Sequence, residues 1–301
     1  MILEALPYLL IQGILFGTTL VASRYSVGQF SPTTYIWLRL ALASLAYLSF
    51  YLVARKRHPW PRDMNVWKHA TVMGIVGTAV PMTFIVMSLQ FQSSGLTSIL
   101  ITANPALTVL LAHYFLPDER LNTFKSVGIA LAFSGALLLA LRGETGLAEG
   151  VPAQPLGYLL VLLAMLAVSS STVYARRTLV EANSFDVASI QMFTAALTVM
   201  PLSVLFVGFD LTSVNYQGYF ALGYAALTGT FLGTWLAFII IQRFGATAAS
   251  LVAYIIPIAA GLTGWLLLDE QITVTMLFGV LLVLGGVALL NRGSTANVPP
   301  G

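Results

Sequence analysis

Two ionisable side chains lie inside long apolar stretches of this sequence, where a charge could act on a bound molecule. Arg39 lies in TYIWLRLALAS, and His113 lies in LLAHYFLPDE. Burying a charge in a membrane is costly unless the charge is paired or hydrated. Arg39 could therefore bind a carboxylate or phosphate through paired hydrogen bonds, or it could snorkel or join a structural pair. His113 could relay protons near neutral pH, although a lone histidine is more often a hydrogen-bonded interface residue.

Carboxylates are placed differently, because none lies near the middle of an apolar stretch. Glu4 opens the first stretch, and Glu119 and Glu270 follow the ends of two later ones. A proton antiporter normally needs an ionisable group within the membrane. Proton coupling would then depend on Glu4 or His113, and facilitated diffusion is the alternative. The sequence has no Walker motif, zinc-ligand spacing or nucleophile elbow, so we expect no catalytic residue, no metal and no cofactor.

Neutral polar and aromatic residues recur within the same stretches. Most of them should join helices through hydrogen bonds or core packing, and a minority should line a substrate cavity. Trp235 and Tyr254, which lie deeper in their helices, could form an apolar or cation–π wall for a substrate. The candidate cavity residues are Gln12, Thr18, Arg39, Gln90, Asn104, Ser169, Ser170, Thr172, Trp235 and Tyr254.

Prolines interrupt two of the stretches at matching positions. Pro105 and Pro257 each lack an N–H and free the carbonyl four residues earlier. In a membrane that carbonyl must find another partner or face a wet cavity. Asn104 could offer the partner or contact substrate. Matched helix breaks in two halves of a chain indicate a transport site, and a simple packing kink is the alternative.

The elements that must position these residues are apolar helices. The chain is 58% hydrophobic and 8% charged, against about 25% charged residues in soluble proteins. Ten stretches approach 20 residues, which is enough to cross about 30 Å of hydrocarbon. They do not alternate apolar and polar residues, so they favour helices over a barrel. We predict an all-α polytopic membrane protein with ten transmembrane helices. The predicted spans are about 7–27, 33–54, 67–90, 95–116, 124–142, 156–177, 185–207, 216–241, 245–267 and 274–291.

The charges in the loops predict the orientation. Placing both termini in the cytoplasm puts eleven of the fourteen Lys and Arg residues in inside loops, whereas Arg24 and Arg142 lie outside. This asymmetry follows the positive-inside rule. We therefore predict a multi-pass protein of the inner (plasma) membrane with cytoplasmic N- and C-termini. Basic residues in such loops mark topology, so the expected partners are the lipid bilayer and a small-molecule substrate, and no nucleic acid.

The sequence also contains an internal repeat, with two similar halves. Residues 95–141 and 245–291 share a central proline, a helix-end Asp-Glu pair and a Gly-x6-Gly helix, at a separation of 151 or 152 residues. The equivalent residues are Pro105 and Pro257, Glu119 and Glu270, Gly128 and Gly279, and Gly135 and Gly286. We predict a first repeat over 1–142, a periplasmic linker over 143–155, a second repeat over 156–292 and a disordered tail over 293–301. Each repeat has five helices, an odd number, so the second repeat must enter the membrane from the opposite face and the two repeats are inverted. The glycines favour close helix packing within a monomer or across a homodimer interface.

These paired features resemble the EamA family of the drug/metabolite transporter superfamily. The resemblance implies ten helices around a central cavity and the movement of small organic metabolites, amino acids among them, usually outward. The family's common Trp-Gly pair in the first helix is Phe16–Gly17 here. The glutamate that the small multidrug-resistance branch carries in its first helix is missing, which disfavours export of organic cations by that mechanism.

The expected function is therefore an inner-membrane transporter, working as an exporter by alternating access through a central cavity. An intramembrane lipid-processing enzyme is one alternative, but it predicts clustered acids, histidines or nucleophiles at one depth, which the sequence lacks. A non-transporting membrane scaffold or receptor is another alternative. The inverted repeat argues against a scaffold or receptor, because neither of those two roles requires internal symmetry.

Overall fold

The computed structural model describes residues 2–54, 59–117, 119–148, 151–179 and 182–295, and within these ranges the chain forms ten helices and no strand. The helices are α1 (Ile2–Ser26), α2 (Pro32–Val53), α3 (Met64–Ser88), α4 (Ser94–Phe115), α5 (Thr123–Leu141), α6 (Pro155–Thr178), α7 (Ser184–Val207), α8 (Tyr216–Tyr224, Ala225–Leu232 and Gly233–Ser250 in succession), α9 (Val252–Leu268) and α10 (Val274–Thr295). In this part of the chain nine helices are long and apolar enough to cross a membrane, and α9 has 17 residues. The protein is a polytopic membrane protein.

Polar residues placed just before the helices fix where several of them begin. A side-chain oxygen at this position accepts a hydrogen bond from an N–H that has no partner within the helix. Ser93 accepts from Leu96 before α4, Asn122 from Lys125 before α5, and Asn215 from Gly218 before α8. The apolar stretches therefore end in turns that the sequence itself encodes.

Several helices depart from regular α-helical geometry. Helices α3, α7 and α8 contain π-helical segments at Ile75–Ala79, Leu202–Val207 and Ala225–Leu232. Helix α4 is interrupted at Ala103, two residues before Pro105. Pro257, in contrast, lies inside an uninterrupted α9.

The junction of α8 and α9 differs from the sequence prediction. A ninth helix was expected to start at residue 245, but α8 continues to Ser250 and only Leu251 separates it from α9, so that prediction is wrong. Residues 245–250 contain no proline and three alanines, which allow the helix to continue in spite of Gly245. At the C-terminus, α10 runs to Thr295, into the segment predicted as a tail, and residues 296–301 lie outside the described residues.

The helices pack as two sets that repeat the same neighbours. Helix α1 packs on α9 and α8, and the equivalent helix α6 packs on α4 and α3. Helix α2 packs on α7, and α5 packs along α10. One hydrophobic core joins α2, α3, α7 and α8, and another joins α4, α5, α6 and α10. The arrangement therefore has the approximate twofold symmetry that the sequence repeat predicts.

The two ends of the bundle can be named by two glutamates. Glu119 follows the last turn of α4, whereas Glu270 follows α9 and contacts Ser94 in the first turn of α4. We call these the Glu119 end and the Glu270 end. Helix α4 begins at the Glu270 end and its equivalent α9 finishes there, so equivalent helices run in opposite directions.

Candidate functional site

A small polar cluster surrounds the break in α4. Ser169 Oγ on α6 lies 3.0 Å from Asn104 Oδ1, to which it donates, and 2.9 Å from Thr108 Oγ1. Ser169 is buried, while Asn104 and Thr108 are half-buried. Because the helix breaks at Ala103, Asn104 begins a new helical segment and its amide turns towards α6. The structure thus brings together two of the predicted cavity residues, Asn104 and Ser169. Thr108 was missed, although its position one turn after Asn104 could have indicated it.

The two prolines are handled differently. Pro105 sits at the start of the second segment of α4, where a proline is tolerated. Pro257 frees the carbonyl of Ala253, and Thr102 Oγ1 on α4 lies 3.5 Å from that oxygen. The Thr102 hydroxyl donates more closely to the Ser98 carbonyl, at 2.8 Å, so its approach to the freed carbonyl in α9 is a weak contact.

Arg39 lies in a cage of hydroxyl groups. Its Nε donates to Thr230 Oγ1 at 2.7 Å and its Nη1 to Ser23 Oγ at 3.1 Å, and the side chain is 8% exposed. No carboxylate of the described residues lies within 4 Å of the guanidinium. Arg39 therefore joins α1, α2 and α8, and in this structure it does not project into open space.

The other polar candidates occupy separate places. Gln12 is buried, with Nε2 3.5 Å from the Gly233 carbonyl and Oε1 without a partner among the described residues. Thr18 shares a 2.7 Å hydrogen bond with the Tyr224 hydroxyl. Gln90 is exposed in the turn after α3. Ser170 and Thr172 are exposed on α6, unlike their neighbour Ser169.

Trp235 and Tyr254 do not form one wall. Trp235 packs beside Phe50 of α2 and Phe231 of α8, at centroid distances of 5.7 and 6.1 Å. Tyr254 is hydrogen-bonded to Asn291 on α10. Because the two aromatic side chains engage different helices, each serves helix packing in this structure.

The two proton-coupling candidates, Glu4 and His113, both lie at the Glu119 end. Glu4 is exposed in the first turn of α1. His113 is half-buried in the last turn of α4, with Nδ1 3.2 Å from the backbone oxygen of Glu119. Among the described residues, the hydrogen bonds of the cluster around Asn104 join Asn104, Thr108 and Ser169 to one another, whereas His113 contacts the backbone of Glu119.

The helix-end glutamates Glu119 and Glu270 each make several hydrogen bonds or ion pairs with described residues, and they were absent from the candidates predicted from the sequence. Glu270 is 4% exposed and accepts hydrogen bonds from Ser94 N at 2.8 Å, Ser94 Oγ at 2.7 Å and Gly95 N at 3.2 Å. The start of a helix favours an anion because its N–H groups are free. Gly264 makes the space, since a methyl group there would overlap the carboxylate. The equivalent Asp-Glu pairs in the sequence were the available signal.

Glu119 is held quite differently. It accepts from Lys125 Nζ at 2.9 Å and forms an ion pair with Arg176 at the end of α6. Burial raises the pKa of Glu119, but the hydrogen bonds and charges of Arg176 and Lys125 outweigh it, so the pKa lies below its usual value.

The linker closes over the Glu270 end. Ser93 N donates to the Thr145 carbonyl and Gln271 N donates to the Gly146 carbonyl, each at 2.8 Å. The Glu144 carboxylate accepts from Thr273 Oγ1 at 2.9 Å. The linker therefore ties the start of α4 to the segment after α9.

Helix α4 is buried within the protein at this end and only partly buried at the other. In Ser94–Thr102 every residue except Ile101 is buried. In Asn104–Phe115 only Ala106, Leu107 and Ala112 are buried. The polar cluster of Asn104, Thr108 and Ser169 lies where the buried half of α4 meets the partly buried half.

These features define a helical membrane protein whose equivalent helices α4 and α9 run in opposite directions and whose polar cluster lies at the break in α4. A family model described as the EamA-like transporter family matches residues 4–141 and again 155–292. The two matches cover most of the chain, and the chain belongs to the EamA-like transporter family. This confirms the resemblance found in the sequence.

Known proteins resemble the chain over nearly its whole length. The uncharacterized transporter YoaV of Bacillus subtilis is 23% identical over 274 residues, covering 91% of this chain and 92% of that protein. A probable amino-acid metabolite efflux pump of Escherichia coli is 22% identical over 283 residues, covering 91% and 90%. A solved crystal structure matches with a TM-score of 0.65 and 20% identity over 95% of this chain and 97% of that chain. That structure supports the fold alone.

Proposed function

We propose that the chain is an inner-membrane transporter that exports small organic metabolites, amino acids among them, by alternating access between its two inverted repeats. The observation that carries this proposal is the unequal burial of α4, which is buried towards the Glu270 end and only partly buried towards the Glu119 end, on either side of a polar cluster. A transporter must close one side of its site while the other is open. The relative named as a probable amino-acid metabolite efflux pump supports the substrate class and the direction.

The substrate site is proposed at Asn104, Thr108 and Ser169. These groups offer neutral donors and acceptors, which suit a neutral or zwitterionic molecule. Arg39 is already occupied by the hydroxyls of Ser23 and Thr230, so it is not the receptor for a substrate carboxylate in this state. The glycines of α5 and α10 pack within the chain, so the proposal needs no second copy and is compatible with a monomer or a homodimer.

The proposed topology has ten spans with both termini in the cytoplasm. Helix α9, with 17 residues, rises about 26 Å, which is near the lower limit for a span. The Glu119 end carries Lys125, Arg176 and Arg243, so the positive-inside rule supports a cytoplasmic Glu119 end. The structure is then the inward-facing state.

Counterflow into proteoliposomes tests the proposal, using a mixed pool of amino acids and metabolites with and without a pH gradient. Flux that ignores the gradient identifies a facilitator, and flux that follows it directs the next substitutions to Glu4 and His113. Ser169→Ala should reduce flux by about fivefold or more because it removes a hydroxyl from the buried cluster.

The matched control is Ser170→Ala, which removes an exposed hydroxyl from the next position on α6. It should leave flux close to that of the unaltered protein. Absence of flux for the whole pool, or equal losses in the two serine variants, would contradict the proposed site. Release of labelled substrate from cells that carry the protein, compared with cells that lack it, tests the direction.

A further inference from the structure

Glu119 and Glu270 occupy equivalent positions in the two repeats but make different contacts. Glu270 crosses to the other repeat and binds the first turn of α4. Glu119 does not bind the equivalent start of α9, because its carboxylate is held by Lys125 and Arg176. The Glu270 carboxylate therefore caps the start of α4, whereas the Glu119 carboxylate is bound by two cations and does not cap the start of α9.

The segments that would bind the two glutamates, the start of α4 and its equivalent before α9, also differ in whether their N–H groups are free. Ser94 and Gly95 follow the non-helical turn Leu89–Ser93, so their N–H groups are free to bind Glu270. Adding 152 gives residues 246 and 247 as their equivalents in the second repeat. Those residues lie within the helix that runs to Ser250, where backbone N–H groups are used by the helix itself.

Equivalent residues near the starts of α4 and α9 also differ in how deeply they are buried. Ser98 on α4 is fully buried, whereas its equivalent Ser250 is half-buried. Ile99 is buried, whereas Leu251 is half-buried. Two residues near the start of α4 at the Glu270 end are thus more deeply buried than their equivalents at the Glu119 end.

The arginines at the ends of α1 and α6 complete the comparison. Arg176 pairs directly with Glu119. Its equivalent, Arg24, interacts with Glu270 electrostatically, but the Glu270 carboxylate is bonded to α4 instead. Each glutamate therefore has an arginine near it, Arg176 for Glu119 and Arg24 for Glu270, with which its carboxylate can pair when it is not bound to a helix start.

We propose that Glu119 and Glu270 are reciprocal latches, each of which closes its own end of the transport pathway by binding the start of the partner repeat's helix. Glu270 bound to α4 holds the Glu270 end closed in this structure. When that latch opens, Glu270 pairs with Arg24. Glu119 then leaves Arg176 and Lys125, the helix before Ser250 unwinds by about one turn, and Glu119 binds the start of α9. This inference rests on the alternating access of the proposed function.

The natural absence of cysteine makes a direct test simple. Ser98→Cys reports opening at the Glu270 end, and Ser250→Cys, at the equivalent position, reports opening at the Glu119 end. Each reporter is combined with Glu270→Gln in lipid nanodiscs, which expose both ends, and its rate of reaction with a bulky maleimide is measured. Glu270→Gln should raise the rate at Ser98→Cys by about tenfold or more and lower the rate at Ser250→Cys.

Two further variants separate the latch from general effects of charge or folding. Gly264→Ala keeps the Glu270 charge but places a methyl group in the space of its carboxylate, so it should shift both rates in the same directions. Asp210→Asn removes an acid from the exposed turn between α7 and α8, whose side chain contacts only its own loop in the described structure. It should change neither rate.

The role of Glu119 is tested in the Glu270→Gln background. Adding Glu119→Gln removes the latch of the opposite state, so the rate at Ser98→Cys should fall back towards that of the unaltered protein. An unchanged rate in Glu270→Gln, or a further rise on adding Glu119→Gln, would overturn the proposal. Labelling needs no substrate, so the latches stand if labelling responds while no solute is transported. They fail if transport is measured and labelling is unmoved by Glu270→Gln.

Discussion

Gly128 on α5 and Gly286 on α10 face each other so closely that neither could carry a side chain. A Cβ atom on Gly128 would lie 2.7 Å from the Gly286 carbonyl oxygen, and one on Gly286 would lie 2.6 Å from the Gly128 oxygen. Small residues let membrane helices approach until their backbones touch. The glycine spacing noticed in the sequence is therefore used within one chain, to join the last helices of the two repeats.

Replacing one of these glycines should destabilise the protein without touching the polar cluster. Gly286→Val would force α5 and α10 apart, and overpacking of this kind costs about 1–3 kcal/mol. The unfolding temperature in detergent, followed by loss of the monodisperse chromatographic peak, should fall by several degrees. Gly285→Ala is the control, because its nearest neighbour would be Leu131 Cδ2 at 3.3 Å, and should change the temperature far less. Equal losses would contradict this account.

The cage around Arg39 predicts an unequal response to removing the charge and removing its partners. Arg39→Met deletes the buried charge and leaves Ser23 and Thr230 with other partners, the carbonyls of Thr19 and Ala225. The Ser23→Ala and Thr230→Val double variant instead leaves a guanidinium buried with fewer acceptors, which is the costlier change. The double variant should therefore lower the unfolding temperature more than Arg39→Met does.

Counterflow distinguishes a structural role of Arg39 from a role in binding. If Arg39 only joins α1, α2 and α8, Arg39→Met that remains folded should retain flux. Loss of flux with an unchanged unfolding temperature would show that Arg39 meets the substrate in another state of the cycle.

The low pKa of Glu119 predicts a pH-dependent contribution to stability. Because the pKa of the folded state lies below the ordinary value, the contribution is present above about pH 5 and is lost as the pH falls below about 4, through the folded pKa. The difference in unfolding temperature between the unaltered protein and Glu119→Gln should follow this course. Lys125→Met removes one of the two cations that lower the folded-state pKa, so the pH-dependent contribution should be smaller and its loss should be complete at a higher pH. A difference that does not vary with pH would contradict the assignment.

How far the sequence predicted the molecule depends on the range of each interaction. The apolar stretches, the twofold repeat and the polar caps are local patterns, and they predicted nearly all the helices. The partners of Arg39 come from α1 and α8, and the oxygen freed by Pro257 lies near Thr102 on α4. Such contacts depend on which helices become neighbours, and no local pattern specifies them.

The candidate site was predicted in part for the same reason. Asn104 was singled out through Pro105, a local signal, but its contact with Ser169 depends on the packing of α4 against α6. Glu270 reaches the start of α4 because Asp269 adopts a left-handed conformation (φ 53°) that turns the chain back after α9. Asp tolerates this conformation better than most residues, but its presence alone does not predict it.

The linker offers a last test, through two glycines with the same backbone conformation and different surroundings. Gly143 and Gly146 both have φ of 64°, so alanine at either position costs about 1 kcal/mol of backbone strain. At Gly146 the added methyl group would also overlap Ser93 Oγ, in the residue that caps α4 and binds the linker. At Gly143 its nearest neighbour would be Ala153 Cβ at 3.4 Å, an ordinary contact.

Gly146→Ala should therefore loosen the Glu270 end, whereas Gly143→Ala should only lower stability slightly. The measurement is maleimide labelling of Ser98→Cys, which should accelerate several-fold with Gly146→Ala and remain near its starting rate with Gly143→Ala. The linker has no counterpart at the Glu119 end, because it joins the repeats only once. If both variants accelerate labelling equally, backbone strain alone loosens this end, and the contact between Gly146 and Ser93 does not hold it closed.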